Sequence, residues 1–168
     1  MDKIFRHKIK QILIFRISLF LLILVWVFGI SFPFFFQTNE QNIILYQFLH
    51  KIYSGVCHQF EYKSISVNGT FFHVCSRCYG IYIGALLGSV LSLFYFKQKH
   101  LKIKYLYFAS IPILIDVIYQ SLNITDYIKI SALSTGMIFG FAIVVYFISS
   151  IENYLTIQKT NYSINELK

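Results

Sequence analysis

The amino-acid sequence predicts an all-α integral membrane protein, a bundle of four transmembrane helices that carries a small loop module on its outer side. Hydrophobic residues make up 57% of the 168 residues and charged residues only 13%, a balance outside that of soluble domains. Four apolar stretches are separated by polar segments, and each has about the 20 residues needed to cross a bilayer core. The first expected partner is therefore the lipid bilayer.

The four stretches define one membrane domain over residues 1–168. They are 17–36, 79–96, 105–122 and 130–151, and the third alone contains a charged residue, Asp116. The first stretch has a basic start like a signal peptide, but it is too long for an h-region and lacks small residues for cleavage, so we expect it to be retained. Residues 152–168 are expected to form a polar, frayed cytoplasmic tail.

Basic residues predict the orientation of the bundle. They concentrate before the first stretch, from Lys3 to Arg16, and between the second and third, from Lys97 to Lys104. Cytoplasmic loops are enriched in Lys and Arg, so both termini are expected in the cytoplasm of a multi-pass protein of the cell (inner) membrane. The net charge of +8 does not form one patch, which argues against nucleic acid as a partner.

Small residues predict which helices touch. They recur every four positions on the second and fourth stretches: Gly80, Gly84, Gly88, Ala132, Gly136 and Gly140. Small residues at this spacing let two membrane helices approach closely. The second and fourth stretches are therefore expected to pack against each other.

Residues 37–78 form the predicted extracytoplasmic segment. Ile44, Phe48, Ile52 and Val56 lie four residues apart, which predicts a short amphipathic helix at the membrane interface, with a capping box at Thr38 and Gln41 and an end at Gly55. His50 lies on this helix and is assigned no ligand role.

A β-hairpin is predicted after this helix. Asn68-Gly69 separates two short strand-like runs, and this dipeptide is a strong two-residue turn signal because both residues tolerate positive φ. The turn predicts that Val67 pairs with Thr70 and Lys63 with Val74. The hairpin would bring the region of Cys57 toward Cys75.

The three cysteines all fall in this segment, close to two histidines. They occur as Cys57-His58 and as His73-Val74-Cys75-Ser76-Arg77-Cys78. Two thiols on a turn, with a third thiol and an imidazole, form the four-ligand set that zinc prefers. The leading hypothesis is a zinc site with ligands Cys57, Cys75 and Cys78, and with His58 or His73 as the fourth.

Two other interpretations of the cysteines stay open. Cys75 and Cys78, at the start of a helix and beside Arg77, have the environment of a thiol–disulfide exchange pair, with Cys57 as the shuttle of an oxidoreductase. A structural disulfide is also compatible with an outward location, although three cysteines leave one unpaired.

Polar residues in the third and fourth stretches add candidate site residues. Asp116 and Gln120 lie one turn apart in the outer half of the third stretch, with Ser131, Ser134 and Thr135 at a matching depth on the fourth. A buried carboxylate in a membrane needs a partner, and Arg77 is the obvious one. A metal ion with an open position would allow hydrolysis with Asp116 as general base; otherwise the ion is structural. A small-solute or ion carrier, formed by a homo-oligomer, would use Asp116 and Gln120 instead.

Several motifs resemble a family of bacterial and archaeal predicted membrane proteins, domain of unknown function 2085. The residues that carry the resemblance are Cys57-His58-Gln59, residues 74–84, Ile111-Pro112, Asp116, Gln120, Thr135-Gly136 and Gly140. The resemblance spans roughly residues 45–145. Val117 stands where the family tends to have glycine, and Lys129 is the nearest basic residue to the family's arginine before the threonine-glycine pair. The family implies the architecture and these residues, but no reaction.

Overall fold

The computed structural model describes residues 2–36, 43–67, 69–94, 101–122 and 126–166. Within them lie six α-helices and one two-stranded antiparallel sheet. The helices are α1 Asp2–Ile30, α2 Phe32–Phe35, α3 Ile43–Ser54, α4 Ser76–Phe94, α5 Lys104–Ser121 and α6 Lys129–Glu166, and the strands are β1 Ser64–Val67 and β2 Thr70–Cys75.

Three of these helices are long and apolar enough to cross a membrane. The candidate spans are Lys10–Ile30, Ser76–Phe94 and Lys129–Tyr154, and they coincide with three of the four predicted stretches. The remaining predicted stretch, the third in chain order, forms α5, which is not among the candidate spans within the described chain. Lys104, Asp116 and Gln120 lower the mean hydropathy of α5.

The first predicted stretch ends differently in the structure. We expected one helix to Phe36, but α1 ends at Ile30 and the four-residue α2 follows after Ser31. Pro33 lies at the start of α2, where its missing N–H needs no partner, whereas in the interior of a helix it would remove a hydrogen bond.

Close packing of α4 against α6 confirms the prediction from the small residues. A Cβ on Gly84 would collide with the backbone carbonyl of Met137, and a Cβ on Gly140 with that of Ile81. Gly80 faces Leu133 in the same way. Positions rise together along both helices, so α4 and α6 run parallel.

Because α4 and α6 are parallel, α5 runs from one end of the bundle to the other. The Leu101 N–H, just before α5, lies 3.4 Å from Ser149 Oγ near one end of α6. Asp116, near the end of α5, accepts a hydrogen bond from Ser131 at the start of α6. We call the end that carries the cysteines the cysteine end, and the end near Ser149 the opposite end.

Helix α6 is longer than expected. A frayed tail was predicted from residue 152, but the helix continues to Glu166. The physical reason is the absence of a helix breaker, since no Gly or Pro follows Gly140 in the sequence.

The predicted amphipathic helix is present as α3. It ends at Ser54, directly before Gly55. The predicted apolar stripe is exposed, with Ile44 at 76% and Phe48 at 62%, as expected for a face that meets the membrane interface. The expected capping box at Thr38 and Gln41 lies outside the described residues.

The hairpin is present with one change of register. Val67 pairs with Thr70 as predicted, but Ser64 pairs with Cys75, and the expected pairing of Lys63 with Val74 is wrong. An irregularity between Ser64 and Ser66 inserts extra residues on β2. Gly69 adopts φ +80° in the turn, as a two-residue hairpin loop requires; Asn68 lies outside the described residues.

Candidate metal centre

The three cysteines meet at the junction of α3, β2 and α4. Cys57 follows the end of α3, Cys75 is the last residue of β2, and Cys78 lies in the first turn of α4. Their sulfur atoms all lie within 4.8 Å of one another. The extra residues in β2 place Cys75 opposite Ser64, and α4 begins at the next residue, Ser76.

Hydrogen bonds organise the three sulfurs around Cys57. The backbone N–H of Cys75 donates to Cys57 Sγ at 3.2 Å, and Cys75 Sγ lies 3.4 Å from Cys78 Sγ. The thiols of Cys75 and Cys78 hydrogen-bond to Cys57 and lower its pKa, while the same contact with Cys57 raises the pKa of Cys75. The cluster therefore holds one thiolate readily, and an ion that binds all three sulfurs displaces the remaining protons.

An apolar cluster packs against the three cysteines. Ile30, Tyr53, Phe72 and Val74 are buried together with Cys57, which is 7% exposed. Cys75 and Cys78 are partly buried against the same cluster. A shielded thiolate group is well suited to a soft or borderline metal ion.

Neither candidate histidine joins the sulfur group. The group of ligand atoms found among the described residues consists of the three cysteines. His58 is exposed and its ring stacks on Phe60 with centroids 5.9 Å apart. His73 is fully buried and its ring stacks parallel to Tyr53 at 5.8 Å. The role of either histidine as fourth ligand stays a prediction.

Burial and the charge of His50 lower the pKa of His73 to about 4. His73 is thus a neutral imidazole at physiological pH, and neither of its ring nitrogens has a hydrogen-bond partner among the described residues. Sequence reasoning assigned His50 no role, yet its ring centroid lies 5.9 Å from that of His73. The sign of this contact in the sequence was the helical spacing that places His50 on the buried face of α3.

Gln59 is a second residue whose role was not predicted from the sequence. Its side-chain amide donates to the backbone carbonyls of His50 and His73, both at 2.7 Å. Its backbone adopts φ 52°, in the left-handed region that a non-glycine residue rarely adopts. Gln59 therefore holds α3 against β2, two residues after Cys57.

The predicted ion pair of Arg77 and Asp116 is present. Arg77 Nη2 lies 2.6 Å from Asp116 Oδ2 and also donates to Gln120 Oε1 at 2.6 Å. Asp116 Oδ1 accepts from Gln120 Nε2 and from Ser131 Oγ, each at 3.0 Å. The side chains predicted as a polar site thus bind one another and join α4, α5 and α6.

Tyr127 connects this network to the cysteines. The guanidinium of Arg77 lies 6.0 Å from the Tyr127 ring and the ammonium of Lys63 lies 5.6 Å from it. Burial, followed by the charge of Cys75, raises the pKa of Tyr127 to about 12. Tyr127 is therefore neutral, and its two cationic contacts hold β1 and α4 to the start of α6.

A second ion pair lies at the opposite end of the bundle. Arg16 Nε lies 2.6 Å from Glu152 Oε1, and the Arg16 side chain is 1% exposed. Arg16 Nη1 also donates to the carbonyl oxygen of Ser92. The sequence indicated Arg16 only as a cytoplasmic charge; in the fold it joins α1, α4 and α6.

Comparisons with known proteins agree with this part of the chain. The model of the family described as predicted membrane protein, DUF2085, matches residues 57–146, more than half of the chain. The match begins at Cys57 and includes Cys75, Cys78 and Asp116. An uncharacterized protein of Methanocaldococcus jannaschii is 36% identical over 101 residues, which cover 58% of this chain and 65% of the relative. No solved structure matches the chain.

Proposed function

Since this chain belongs to the DUF2085 family of predicted membrane proteins, we propose that it is a multi-pass membrane protein that binds one zinc ion through Cys57, Cys75 and Cys78. The observation that carries the proposal is the position of the three sulfurs within 4.8 Å of one another. Three thiolates at tetrahedral angles around zinc lie roughly 3.8 Å apart, given Zn–S bonds of about 2.3 Å. One ion fits between these sulfurs with small side-chain movements.

The electrostatics support an ion of positive charge at this point. Cys78 lies in the first turn of α4, where the backbone N–H groups favour thiolates over thiols. Binding of a divalent ion then offsets the repulsion between neighbouring thiolates. The fourth ligand is His58, His73 or a water molecule, and variants of the two histidines decide among them.

The connection between α4 and α6 supports α5 as the fourth membrane span. Because α4 and α6 run parallel, the chain must return from the opposite end to the cysteine end between them. Helix α5 has 18 residues, about 27 Å at 1.5 Å per residue, and no residue of it is buried. Its exposed apolar side chains, such as Phe108 at 68% and Leu114 at 55%, suit contact with lipid.

With four spans and the basic segments in the cytoplasm, the proposed topology has the cysteine end outside and both termini in the cytoplasm. Single-cysteine labelling tests this topology: Lys102→Cys and Asp126→Cys are introduced at exposed positions into a chain whose native cysteines are replaced by serine. A membrane-impermeant thiol reagent added to intact cells should label Asp126→Cys but not Lys102→Cys. Labelling of both from the same side would contradict the fourth span.

Metal analysis tests the centre itself. We expect about one equivalent of zinc in the purified full-length protein and loss of most of it in Cys57→Ser, Cys75→Ser and Cys78→Ser. Ser54→Ala, an exposed position shortly before Cys57, is the matched control and should retain the metal. Wild-type protein that contains no metal and takes up none after reduction would contradict the proposal.

The short distance between Cys75 and Cys78 favours one alternative, a membrane thiol–disulfide oxidoreductase. Their sulfurs, 3.4 Å apart, are close enough to form a disulfide with little backbone movement, and an external dithiol would reduce that disulfide while becoming oxidised itself. The third thiol, Cys57, would carry the exchange. Alkylation of unreduced protein followed by mass analysis distinguishes the two functions, because a metal site yields three free thiols and an oxidoreductase yields a Cys75–Cys78 disulfide.

The contacts of Asp116 bear on the hydrolytic and carrier hypotheses. A general base needs a free lone pair directed at water, whereas both carboxylate oxygens of Asp116 accept hydrogen bonds from neighbouring side chains. We therefore favour a structural role for the metal and for the Arg77–Asp116 pair. Solute uptake that depends on Asp116 and Gln120 but survives replacement of the cysteines would support the carrier instead.

A further inference from the structure

His50 and His73 form a second cluster of metal-ligating groups, separate from the three sulfurs. Their ring centroids are 5.9 Å apart with an interplanar angle of 60°. His50 Nδ1 and both nitrogens of His73 are buried and have no hydrogen-bond partner among the described residues. Since a neutral imidazole carries a lone pair on one nitrogen, each ring offers one unused ligand atom.

From this geometry we propose that His50 and His73 bind one Cu(I) ion between their imidazole rings. Two imidazoles that share a metal ion through nitrogens at about 2.0 Å have their ring centres roughly 5–6 Å apart, which agrees with the observed spacing. Tyr53 contacts the proposed site and the cysteine cluster alike, since its ring stacks on His73 and it belongs to the apolar cluster that contains Cys57.

The scaffold holds the two histidines in a fixed relation. The amide of Gln59 donates to the backbone carbonyls of both residues at 2.7 Å, so one side chain ties α3 to β2 at this point. Tyr46 covers both rings, with centroids 4.7 Å from His73 and 6.0 Å from His50. His73 is fully buried, so the pair is preorganised and largely shielded from water.

The chemistry of the pair selects the ion. Imidazole is a good ligand for zinc, copper, iron and nickel, but two imidazole ligands among aromatic side chains bring no negative charge. A divalent ion in such surroundings would remain poorly compensated. Copper is the metal of this group with a stable monovalent ion, and Cu(I) accepts two-coordinate nitrogen ligation.

A copper titration tests the site without the cysteines. Full-length protein with Cys57→Ser, Cys75→Ser and Cys78→Ser should bind about one equivalent of Cu(I), measured without oxygen against a colorimetric Cu(I) chelator. His50→Gln or His73→Gln in this background should weaken binding at least 100-fold. Lys51→Gln, at an exposed position next to His50 on α3, is the matched control. Absence of Cu(I) binding in the triple variant, or binding unchanged by His50→Gln, would overturn the proposal.

A spectroscopic measurement avoids dependence on the triple variant. X-ray absorption of the wild-type protein with two equivalents of Cu(I) should show both sulfur and nitrogen neighbours, and His50→Gln should leave sulfur alone. Nitrogen neighbours that persist in His50→Gln but vanish in His73→Gln would instead make His73 the fourth ligand of the cysteine centre. Zinc content is independent of His50, so failure of the copper site leaves the zinc proposal standing.

Discussion

Arg77 on α4 and Asp116 on α5 form an ion pair of 2.6 Å immediately beside the cysteine end of the bundle. Arg77 stands between Cys75 and Cys78 in the chain, so the short segment from the end of β2 to the first turn of α4 carries two of the thiols and the cation that holds α5. The position of α5 is thereby linked to that of the cysteine cluster. This link gives the first prediction.

Asp116→Asn should destabilise the protein by about 2–4 kcal/mol, because it leaves the guanidinium of Arg77 with a poorer partner in a largely buried position. Thermal unfolding in detergent measures the loss. Arg77→Gln should cost a similar amount, and the double variant should cost clearly less than the sum of the two. Strictly additive effects would show that the two side chains do not interact.

Gly84→Ala should weaken the packing of α4 on α6, since a Cβ at this position would meet the backbone carbonyl of Met137. Forcing the helices apart typically costs about 1–3 kcal/mol. Gly55→Ala is the matched control, because its Cβ would meet its nearest neighbour at an ordinary 3.6 Å. Equal melting temperatures for the two variants would contradict the close approach.

Arg16→Gln should destabilise the fold more than the loss of an exposed basic residue would, because the Arg16 side chain is buried. The variant removes the buried guanidinium that pairs with Glu152, which costs on the order of 3–5 kcal/mol for a buried ion pair. Lys10→Gln removes the same charge at an exposed position and should leave stability nearly unchanged. The two variants together separate the packing role of Arg16 from the effect of basic residues on topology.

His73 should make the metal-free protein sensitive to acid. Its pKa of about 4 in the folded protein lies below the ordinary histidine value of 6.5, so as pH falls the unfolded state takes up the proton first. Stability present above pH 6.5 should therefore decrease by on the order of 3 kcal/mol as pH falls to 4. Melting temperatures across this range measure the slope, and His73→Gln should remove most of it. An unchanged slope in that variant would assign the acid sensitivity to other groups.

Gln59→Ala should lower the affinity of the cysteine centre for zinc about tenfold, as loss of an outer support typically does. The amide no longer ties the ends of α3 and β2 together, so Cys57 and Cys75 are held less firmly. Competition with a chelator measures the affinity, and Ser54→Ala again serves as the control. Unchanged affinity would show that the disposition of the sulfurs does not depend on this clamp.

Much of the architecture follows from local patterns in the sequence. Apolar length predicts the spans in α1, α4 and α6, the spacing of Gly80 and Gly84 predicts the packing of α4, and Asn68-Gly69 predicts the hairpin. These features depend on residues that are close to one another in the chain, so they can be recognised in a single sequence. The approach of Cys57 to Cys75 was also predictable, because a hairpin brings its two ends together.

Contacts between elements that are distant in the chain could be established from the tertiary structure alone. The irregular pairing of β1 with β2, the buried pair of Arg16 and Glu152, and the meeting of His50 with His73 depend on side chains far apart in the chain. Composition and spacing describe each partner but not their distance, because that distance depends on how the helices pack. Composition and residue spacing were sufficient to predict a membrane protein with a cluster of cysteines. Which charged and imidazole groups contact one another depends on the packing of the helices and strands, so it required the fold.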